Sequence, residues 1–377
     1  MFIVDKKEGH LRLKRIGNLY QRIYEYENLH LAYLNARKDK RYRNEVLSFS
    51  AKLEENLSDL QEELKQETYE ISSHREFFVH TPKKRLIMAL PFKDRVLQWA
   101  LYQIIEPILN KRFHHHSYAC RKGKGSHEAV DKVQNELRRL ERLPGKTYYL
   151  QMDISKFFYR VDHEVEEKIY RRMFKDQKLL ALLKIIRDSN GEKFGLRLDD
   201  HHYKQERLNN MGMAIGDLLS QLRAGVYLNE ADQYIKHNMS VPNLYRYMDD
   251  FLILSKSKAE LHAILEEVEL FLSADLKLQL NNKTVIAPAA GGIDFVGYRI
   301  WTTQIKVRKT TAKRMIKACR FFSKAFRRGD MMVEDVRVRI MSYWGVIKRS
   351  NAYGLWRKVL NTVRLSRSDL RVGDSYA

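Results

Sequence analysis

Cysteine is nearly missing from this chain. Cys120 and Cys319 are the only two in 377 residues, which leaves no disulfide framework and no zinc-ligand spacing and fits a reducing cytoplasm. Long apolar runs are missing too. None approaches the roughly 18 residues of a membrane span, so none is expected. Met1 to Arg12 carries charges throughout and lacks the apolar stretch of a secretory leader. No internal repeat is visible. Acid is in deficit: 47 acidic against 69 basic residues give a formal charge of +22. The excess is spread along the chain. A folded, strongly basic chain points to a polyanionic partner, nucleic acid first and an anionic membrane surface second. The hydrophobic content, 44%, is enough for a core, and the length allows two or three domains at roughly 150 residues each.

Against that background one stretch stands out, Arg246–Tyr247–Met248–Asp249–Asp250–Phe251–Leu252–Ile253–Leu254. Leu252 to Leu254 read as a buried strand and Tyr245 to Met248 as the strand before it, so Asp249 and Asp250 fall at a tight hairpin turn. Neighbouring carboxylates repel each other unless cations share the space. An Asp-rich turn is the plain alternative. A second stretch, Tyr148 to Phe158, speaks against it. Tyr148 to Met152 is a short strand with Asp153 at its end, and Phe157 and Phe158 follow in the first turn of a helix. A strand-end Asp plus a hairpin Asp pair is the carboxylate set of a two-metal phosphoryl-transfer site, whose ions lie about 3.5–4 Å apart. Hard oxygen ligands suit two Mg²⁺ ions.

The remainder reads in order as follows. Residues 10–65 are helical, with Ile16, Leu19, Tyr20, Ile23 and Tyr24 at helical spacing and a second stripe through Leu53, Leu57, Leu60 and Leu64. They form an RNA- or partner-binding bundle or simply a packed helical hairpin, joined by a basic connector, Lys38 to Arg43. Residues 76–90 switch to strand character around Pro82, and 92–110 form a helix. Lys84, Arg85 and Arg95 flank that hairpin and helix start; arginine binds phosphate bidentately, and a solvated surface is the alternative. His114–His115–His116 tempts a metal reading, but consecutive residues do not face one another on a helix. Arg121–Lys122–Gly123–Lys124–Gly125 is a flexible basic loop ahead of a helix from Ser126 to about residue 144, a place where anions are attracted. Residues 188–210 are polar and contain Asp199–Asp200–His201–His202, read as a surface hairpin or loop rather than a metal site. Residues 257–273 form an amphipathic helix, Leu276, Leu278 and Leu280 alternate as a strand, and Gly291–Gly292 turns the chain into a strand pair from Ile293 to Trp301. From about 305 the chain is basic and helical.

Tyr247–Met248–Asp249–Asp250 with Asp153 resembles the catalytic core of a reverse transcriptase. Thr81–Pro82–Lys83–Lys84–Arg85–Leu86–Ile87, with Pro91, Asp94–Arg95 and Gln98, resembles a fingers motif of bacterial retroelement polymerases, and Ser117 to Ser126 the next one. Leu280–Asn281–Asn282–Lys283–Thr284 and Phe295–Val296–Gly297–Tyr298 resemble the late palm motif and the primer grip, and Ser342–Tyr343–Trp344–Gly345 a thumb motif. These fall in the family's order over roughly residues 10–350. The resemblance implies an α+β right-hand polymerase: an N-terminal helical region (1–70), fingers with part of the palm (71–147), a palm with an antiparallel sheet (148–301, with a fingers-side insertion near 165–210) and a helical thumb and tail (302–377). No endonuclease, zinc-binding or maturase extension is expected.

It also implies roles. Asp153, Asp249 and Asp250, with the Ile154 carbonyl, would hold the two Mg²⁺, and Lys283 would serve as an acid or a charge neutraliser at the leaving pyrophosphate. Lys84, Arg85, Arg121, Phe158, Ile215, Gly216 and Gln221 would meet the incoming nucleotide, Phe158 as a steric gate against a ribose 2′-hydroxyl. Arg95, Lys122, Lys124, Tyr298, Lys313, Lys317 and Arg320 would bind nucleic acid. Tyr159–Arg160–Val161–Asp162–His163 departs from the Pro–Ser–Ile–Asp–His usual in this group. Most members carry Gln–Gly and a later Ser–Pro where this chain has Ile215–Gly216 and Ser220–Gln221. That variant resembles the enzymes of diversity-generating retroelements, with error at template adenines. The implied partners are a structured template RNA, dNTPs, the cDNA product and a small basic accessory protein. The alternative is an antiphage defence enzyme that copies a dedicated non-coding RNA. A catalytically idle RNA-binding scaffold would be expected to have lost carboxylates, and all three are present.

Overall fold

A computed structural model describes residues 14–80, 85–189 and 208–365. In chain order the elements are α1 (Tyr20–Ile23), α2 (Tyr26–Ala36), α3 (Asn44–Ala51), α4 (Leu53–Lys65), β1 (Arg75–Val79), β2 (Arg85–Ala89), α5 (Phe92–Asn110), α6 (Ser126–Glu141), β3 (Tyr148–Asp153) and α7 (Phe157–Arg160). There follow α8 (His163–Met173), α9 (Gln177–Asp188), α10 (Leu218–Gln233), a π-helical turn Tyr234–Asn238, β4 (Leu244–Tyr247), β5 (Asp250–Ser255), α11 (Lys258–Ala274), β6 (Val285–Pro288), β7 (Ile293–Phe295), β8 (Tyr298–Ile300), β9 (Ile305–Val307), α12 (Lys309–Arg327), α13 (Val333–Ile347) and α14 (Tyr353–Thr362). Strands β4, β5, β3 and β6 make one four-stranded sheet in that order, β1 and β2 a hairpin, and β7, β8 and β9 a three-stranded sheet. This is the α+β arrangement of helices and antiparallel strands that the sequence implies. No helix among the described residues is long and apolar enough to cross a membrane.

The chain divides into two compact units. The first takes its described residues from 1–122, 152–251 and 263–284. Its centre is α5, on which α1–α4 and α10 pack. Val96, Leu97, Ala100 and Leu101 recur at helical spacing on its buried side and are fully buried. Tyr33 and Phe49 meet Phe92 edge-on, at centroid distances of 6.2 and 5.2 Å, an arrangement that aromatic quadrupoles favour. Helix α10 is buried over most of its surface, so its inward-facing charges must be paired. Arg223 donates to both carboxylate oxygens of Glu166 at 2.6 and 2.7 Å, and Asp232 pairs with Arg246.

The second unit comprises 123–151, 252–262 and the described part of 285–377. In it β3 pairs antiparallel with β6, Tyr148 opposite Pro288 and Gln151 opposite Val285. Strand β8 sits between β7 and β9, Tyr298 opposite both Phe295 and Val307. Helices α12, α13 and α14 pack on one another around Phe322, Phe326 and Val336. Gly292 has φ +83°, and a Cβ there would lie 2.4 Å from the Trp301 ring, so the turn ahead of β7 requires glycine.

Several expectations are corrected. The hairpin turn sits one residue earlier than expected: β4 stops at Tyr247, Met248 and Asp249 make the turn, and Asp250 opens β5. Leu276 and Leu278 are buried as their alternation suggests, yet they join no strand; only Leu280 forms a bridge, with Ile154. The chain after 304 begins with a strand, β9, before it becomes helical. Asp199 to His202 and Lys84 lie outside the described residues.

Candidate active site

Three segments of the first unit converge at the carboxylates. Asp153 ends β3, and Asn281 holds it twice. The Asn281 backbone N–H donates to the Asp153 carbonyl at 2.7 Å, and its side-chain amide donates to Asp153 Oδ2 at 3.0 Å. The Ile154 N–H donates to the Asp249 carbonyl at 3.3 Å, and Ser155 N–H to Gln279 O at 2.9 Å. The strand end is thus tied to the Met248–Asp249 turn on one side and to the 279–281 segment on the other. Both carboxylate-bearing segments carry a left-handed non-glycine residue, Met248 at φ +55° and Lys156 at φ +49°. Such residues cost of order 1–3 kcal/mol each and persist only where neighbouring structure holds them.

The Asp249 carboxyl is pushed above the ordinary carboxylate range, first by burial and then by the charge of Asp153; Arg85 and Arg246 pull it the other way. A site that resists the ionisation of its own carboxylates is one that positive charge would stabilise. Among the described residues no group of three or more His, Cys, Asp or Glu side chains forms a ready cage. The donor set, all hard oxygen, suits Mg²⁺. The consecutive histidines serve the fold instead. His114 is buried and its ring meets the Leu244 carbonyl, while His116 bonds the Tyr118 hydroxyl at 2.7 Å.

Beside the carboxylates, Phe157 is buried and Phe158 half-buried, their rings edge-on at 5.4 Å. The sequence leaves either ring free to face the core, and the fold assigns Phe157 to it. The Phe158 carbonyl accepts from Met213 N–H at 2.6 Å, which brings the 212–216 turn alongside. In that turn Ile215 packs with Leu86 and Tyr159 on Met88 and Ala214, and its carbonyl accepts from Met88 N–H at 2.8 Å. Gly216 sits at φ +133°, where a Cβ would come within 2.6 Å of the Met88 carbonyl. The turn therefore presses on β2, directly beyond Arg85, which is exposed at the strand's start. Gln221 is exposed in the first turns of α10, and Lys283 is exposed after the Asn281 turn.

Other residues named from the sequence sit differently. The Arg121 guanidinium is spent inside the protein: it donates to Asn110 Oδ1 at 2.6 Å, to the carbonyls of His114 and Ser117 at 2.8 and 2.9 Å, and to Asn110 O at 3.2 Å. It braces the loop after α5 and has little left to offer a triphosphate. Tyr298 is 3% exposed; its hydroxyl donates to Val346 O at 2.9 Å and bonds His127 at 3.0 Å, so the ring ties β8 to α6 and α13 rather than presenting a surface. Arg95 pairs with Glu45 at 2.5 Å and keeps 20% of its side chain exposed. Lys122 is exposed in the first unit. In the second, Gly123 to Glu128 and Arg349 line a cleft of about 370 Å³ that includes Lys124. On α12, Lys313, Lys317 and Arg320 are all exposed.

Residues 75–300, more than half of the chain, match the family "Reverse transcriptase (RNA-dependent DNA polymerase)". The chain belongs to the reverse transcriptases. This reverse transcriptase is 27% identical over 285 residues to Protein YkfC of Escherichia coli, covering 66% of this chain and 72% of that one. It is 23% identical over 376 residues to the group II intron-encoded protein LtrA of Lactococcus lactis, covering 80% of this chain but only 59% of LtrA. Among solved structures, apo telomerase from Candida Tropicalis overlaps 78% of this chain and 61% of its own at 12% identity and a TM-score of 0.47.

Two residues essential to this geometry gave no signal of their role. Asn281 is visible in the sequence as part of a motif, but its double hold on Asp153 is not. Asp232 lies inside a helix with no local mark, because its partner, Arg246, is on a strand fourteen residues away.

Proposed function

We propose that the chain is an RNA-directed DNA polymerase that extends a primer along a structured retroelement RNA by adding dNTPs. The observation that carries this reading is the Asp153–Asp249 pair, tied to one turn by the Ile154–Asp249 bond and braced by Asn281. Asp153, Asp249 and Asp250 would hold Mg²⁺, which when bound lowers the pKa of the primer 3′-hydroxyl and steadies the leaving oxygen. The Ile154 carbonyl is a further candidate oxygen ligand. The chain's own residues do the remainder. Asn281 fixes the Asp153 carboxylate by donating to one of its oxygens. Arg85, and Lys84 beside it in sequence, would meet the triphosphate, and Lys283 the departing pyrophosphate. The Phe158 ring would lie under the sugar. The α12 cations and Lys122 and Lys124 would hold the nucleic acid backbone, by charge alone and so without sequence preference.

The finer reading is a diversity-generating enzyme, error-prone at template adenines and served by a small basic accessory protein. It rests on Ile215, which puts an apolar side chain where a polar amide would otherwise reach the nascent pair. A defence enzyme that copies a dedicated non-coding RNA is the second reading, favoured by the unusual Tyr159–Arg160. Primer extension on an RNA template in Mg²⁺ tests the main proposal. Wild type should add dNTPs and Asp249→Asn should not; equal extension by both, or none by wild type across primed RNA templates, overturns it. Sequencing the cDNA separates the finer readings.

A further inference from the structure

The side chain of Arg246 reaches the Met248–Asp249 turn, and it is almost sealed from solvent. It is 2% exposed, and its partner Asp232, near the end of α10, is fully buried. Nε donates to both carboxylate oxygens at 2.8 and 2.9 Å and Nη2 to Oδ2 at 2.5 Å. The remaining nitrogen, Nη1, donates to the Met248 carbonyl at 2.9 Å. Met248 is the left-handed residue directly ahead of Asp249. The same guanidinium lies 5.7 Å from the Phe251 ring centroid, just past Asp250. Its own backbone is pinned: Arg246 N–H donates to His116 O and Tyr118 N–H donates to Arg246 O, both at 2.9 Å. One planar fork thus spans the turn from Met248 to Phe251 and anchors it to α10.

Burying an ion pair this deeply is a poor route to stability, because the desolvation of both charges offsets their attraction. The geometry instead gives the pair a positioning task. Asp232 takes two of the guanidinium's faces, which leaves Nη1 one direction, toward the carbonyl that must be held for Met248 to remain left-handed. Helix α10 carries Asp232 near its end and starts two residues after Gly216, so one rigid element reaches from the Ile215–Gly216 turn to the carboxylate turn.

We infer that Arg246 and Asp232 form a positioning pair that fixes the Met248–Asp249 turn through the Met248 carbonyl, and so sets where the two hairpin carboxylates point. The pair acts on the turn through its backbone, at the Met248 carbonyl. The inference rests on the polymerase reading for its effect on rate, but its effect on the turn can be read without catalysis.

The test is a double variant, Arg246→Met with Asp232→Leu. Replacing a buried pair by apolar side chains of similar volume is often neutral for stability or better, yet it removes the donor to Met248. Expected are a melting temperature within a few degrees of wild type and RNA affinity within about threefold. In the absence of divalent ions, amide exchange in 247–251 should quicken at least tenfold while α5 amides stay unchanged. The kcat should fall at least tenfold with the KM for dNTP within about threefold, and half-saturation should need more Mg²⁺. A folded double variant with wild-type exchange in 247–251, or with wild-type kcat, overturns the inference. If the wild type extends no primer, the polymerase reading fails by itself, and the exchange measurement still decides the role of the pair. Should the double variant not fold, Arg246→Lys takes its place under the same criteria, since one ammonium cannot serve Asp232 and Met248 along both directions.

Discussion

The carboxylate turn and helix α12 are both built on charge, and they handle it in opposite ways. At the turn every charge is close to another: Arg246 is locked to Asp232, Asp153 is held by Asn281, and Asp249 sits where burial and Asp153 resist its ionisation. On α12, Lys313, Lys317 and Arg320 stand one turn apart in solvent, and no ion pair among the described residues engages them. Buried charge is geometrically exact and costly, so it suits a step that demands fixed atoms. Exposed charge is imprecise and screened by salt, so it suits a partner whose phosphates recur along a groove. On the proposed function, the +22 net charge and the three acidic residues would answer separate questions, where the nucleic acid is held and where it reacts. Each region can then be damaged without the other.

The largest expected effect follows from the turn. Asp249→Asn or Asp153→Asn should lower primer extension by about three orders of magnitude, since several kcal/mol of transition-state charge stabilisation depend on the ligands. RNA binding should hardly change. Stability should move the other way. A carboxyl whose pKa is raised in the fold favours folding while protonated; that advantage is complete below the unfolded pKa and lost as pH rises through the folded one. Near neutrality, ionised Asp249 therefore opposes the fold, so Asp249→Asn should raise the melting temperature in EDTA by roughly 1–4 °C. A variant that loses RNA affinity along with rate would break the contrast between the regions.

The reciprocal experiment is charge reversal at Lys313, Lys317 and Arg320 together. Affinity for RNA or hybrid duplex should drop at least tenfold at low salt, and the slope of log K against log salt should shrink by roughly 2–3 if each cation neutralises one phosphate. At saturating nucleic acid kcat should be nearly unchanged. An affinity that ignores salt, in wild type or variant, would remove α12 from the binding surface.

A smaller effect sharpens the contrast within the turn's own surroundings. Phe157 is in the core and Phe158 is half-buried, so Phe158→Ala should admit ribonucleotides, narrowing dNTP over NTP preference on the order of tenfold, the scale of small steric differences in a pocket. Competing dNTP and NTP incorporation on one template measures it. Unchanged preference would mean that another side chain guards the sugar.

How much of this the sequence reveals depends on the range of the interaction. Helix α5 is legible to the residue, because its apolar spacing is periodic and Pro91 precedes it. Adjacent Phe157 and Phe158 can be narrowed to one inward ring, but only tertiary packing against Tyr227, 6.2 Å away, chooses which. Arg121 reads as part of a basic glycine loop, yet the carbonyls it satisfies are created by the fold of 110–117, which no local rule exposes. Strand β9 is three residues long, too short for alternation to register. Asp232 is an acidic residue on a helix, ordinary by every local measure, and its partner lies on a strand.

The smallest effect concerns Ile215 and is the one that separates the finer functional readings. Its side chain packs with Leu86 and Tyr159 on Met88 and Ala214, and its carbonyl is already taken by Met88 N–H. The residue therefore contributes shape and no hydrogen bond beyond its backbone. A glutamine here would keep the backbone bond and add an amide able to reach the nucleotide. One such contact is worth about 0.5–1.5 kcal/mol net, a few-fold to about tenfold in rate. Because Gly216 fixes the turn against the Met88 carbonyl, the added side chain has little freedom to relocate the backbone. Ile215→Gln should accordingly reduce misincorporation opposite template adenine by a few-fold, with total extension within about threefold of wild type. Deep sequencing of cDNA from one RNA, copied by both proteins, reads this directly. Low and equal error at adenines in both would reduce Ile215 to a packing residue between the turn and β2, and would leave the copying of a dedicated non-coding RNA as the surviving account of the variant turn.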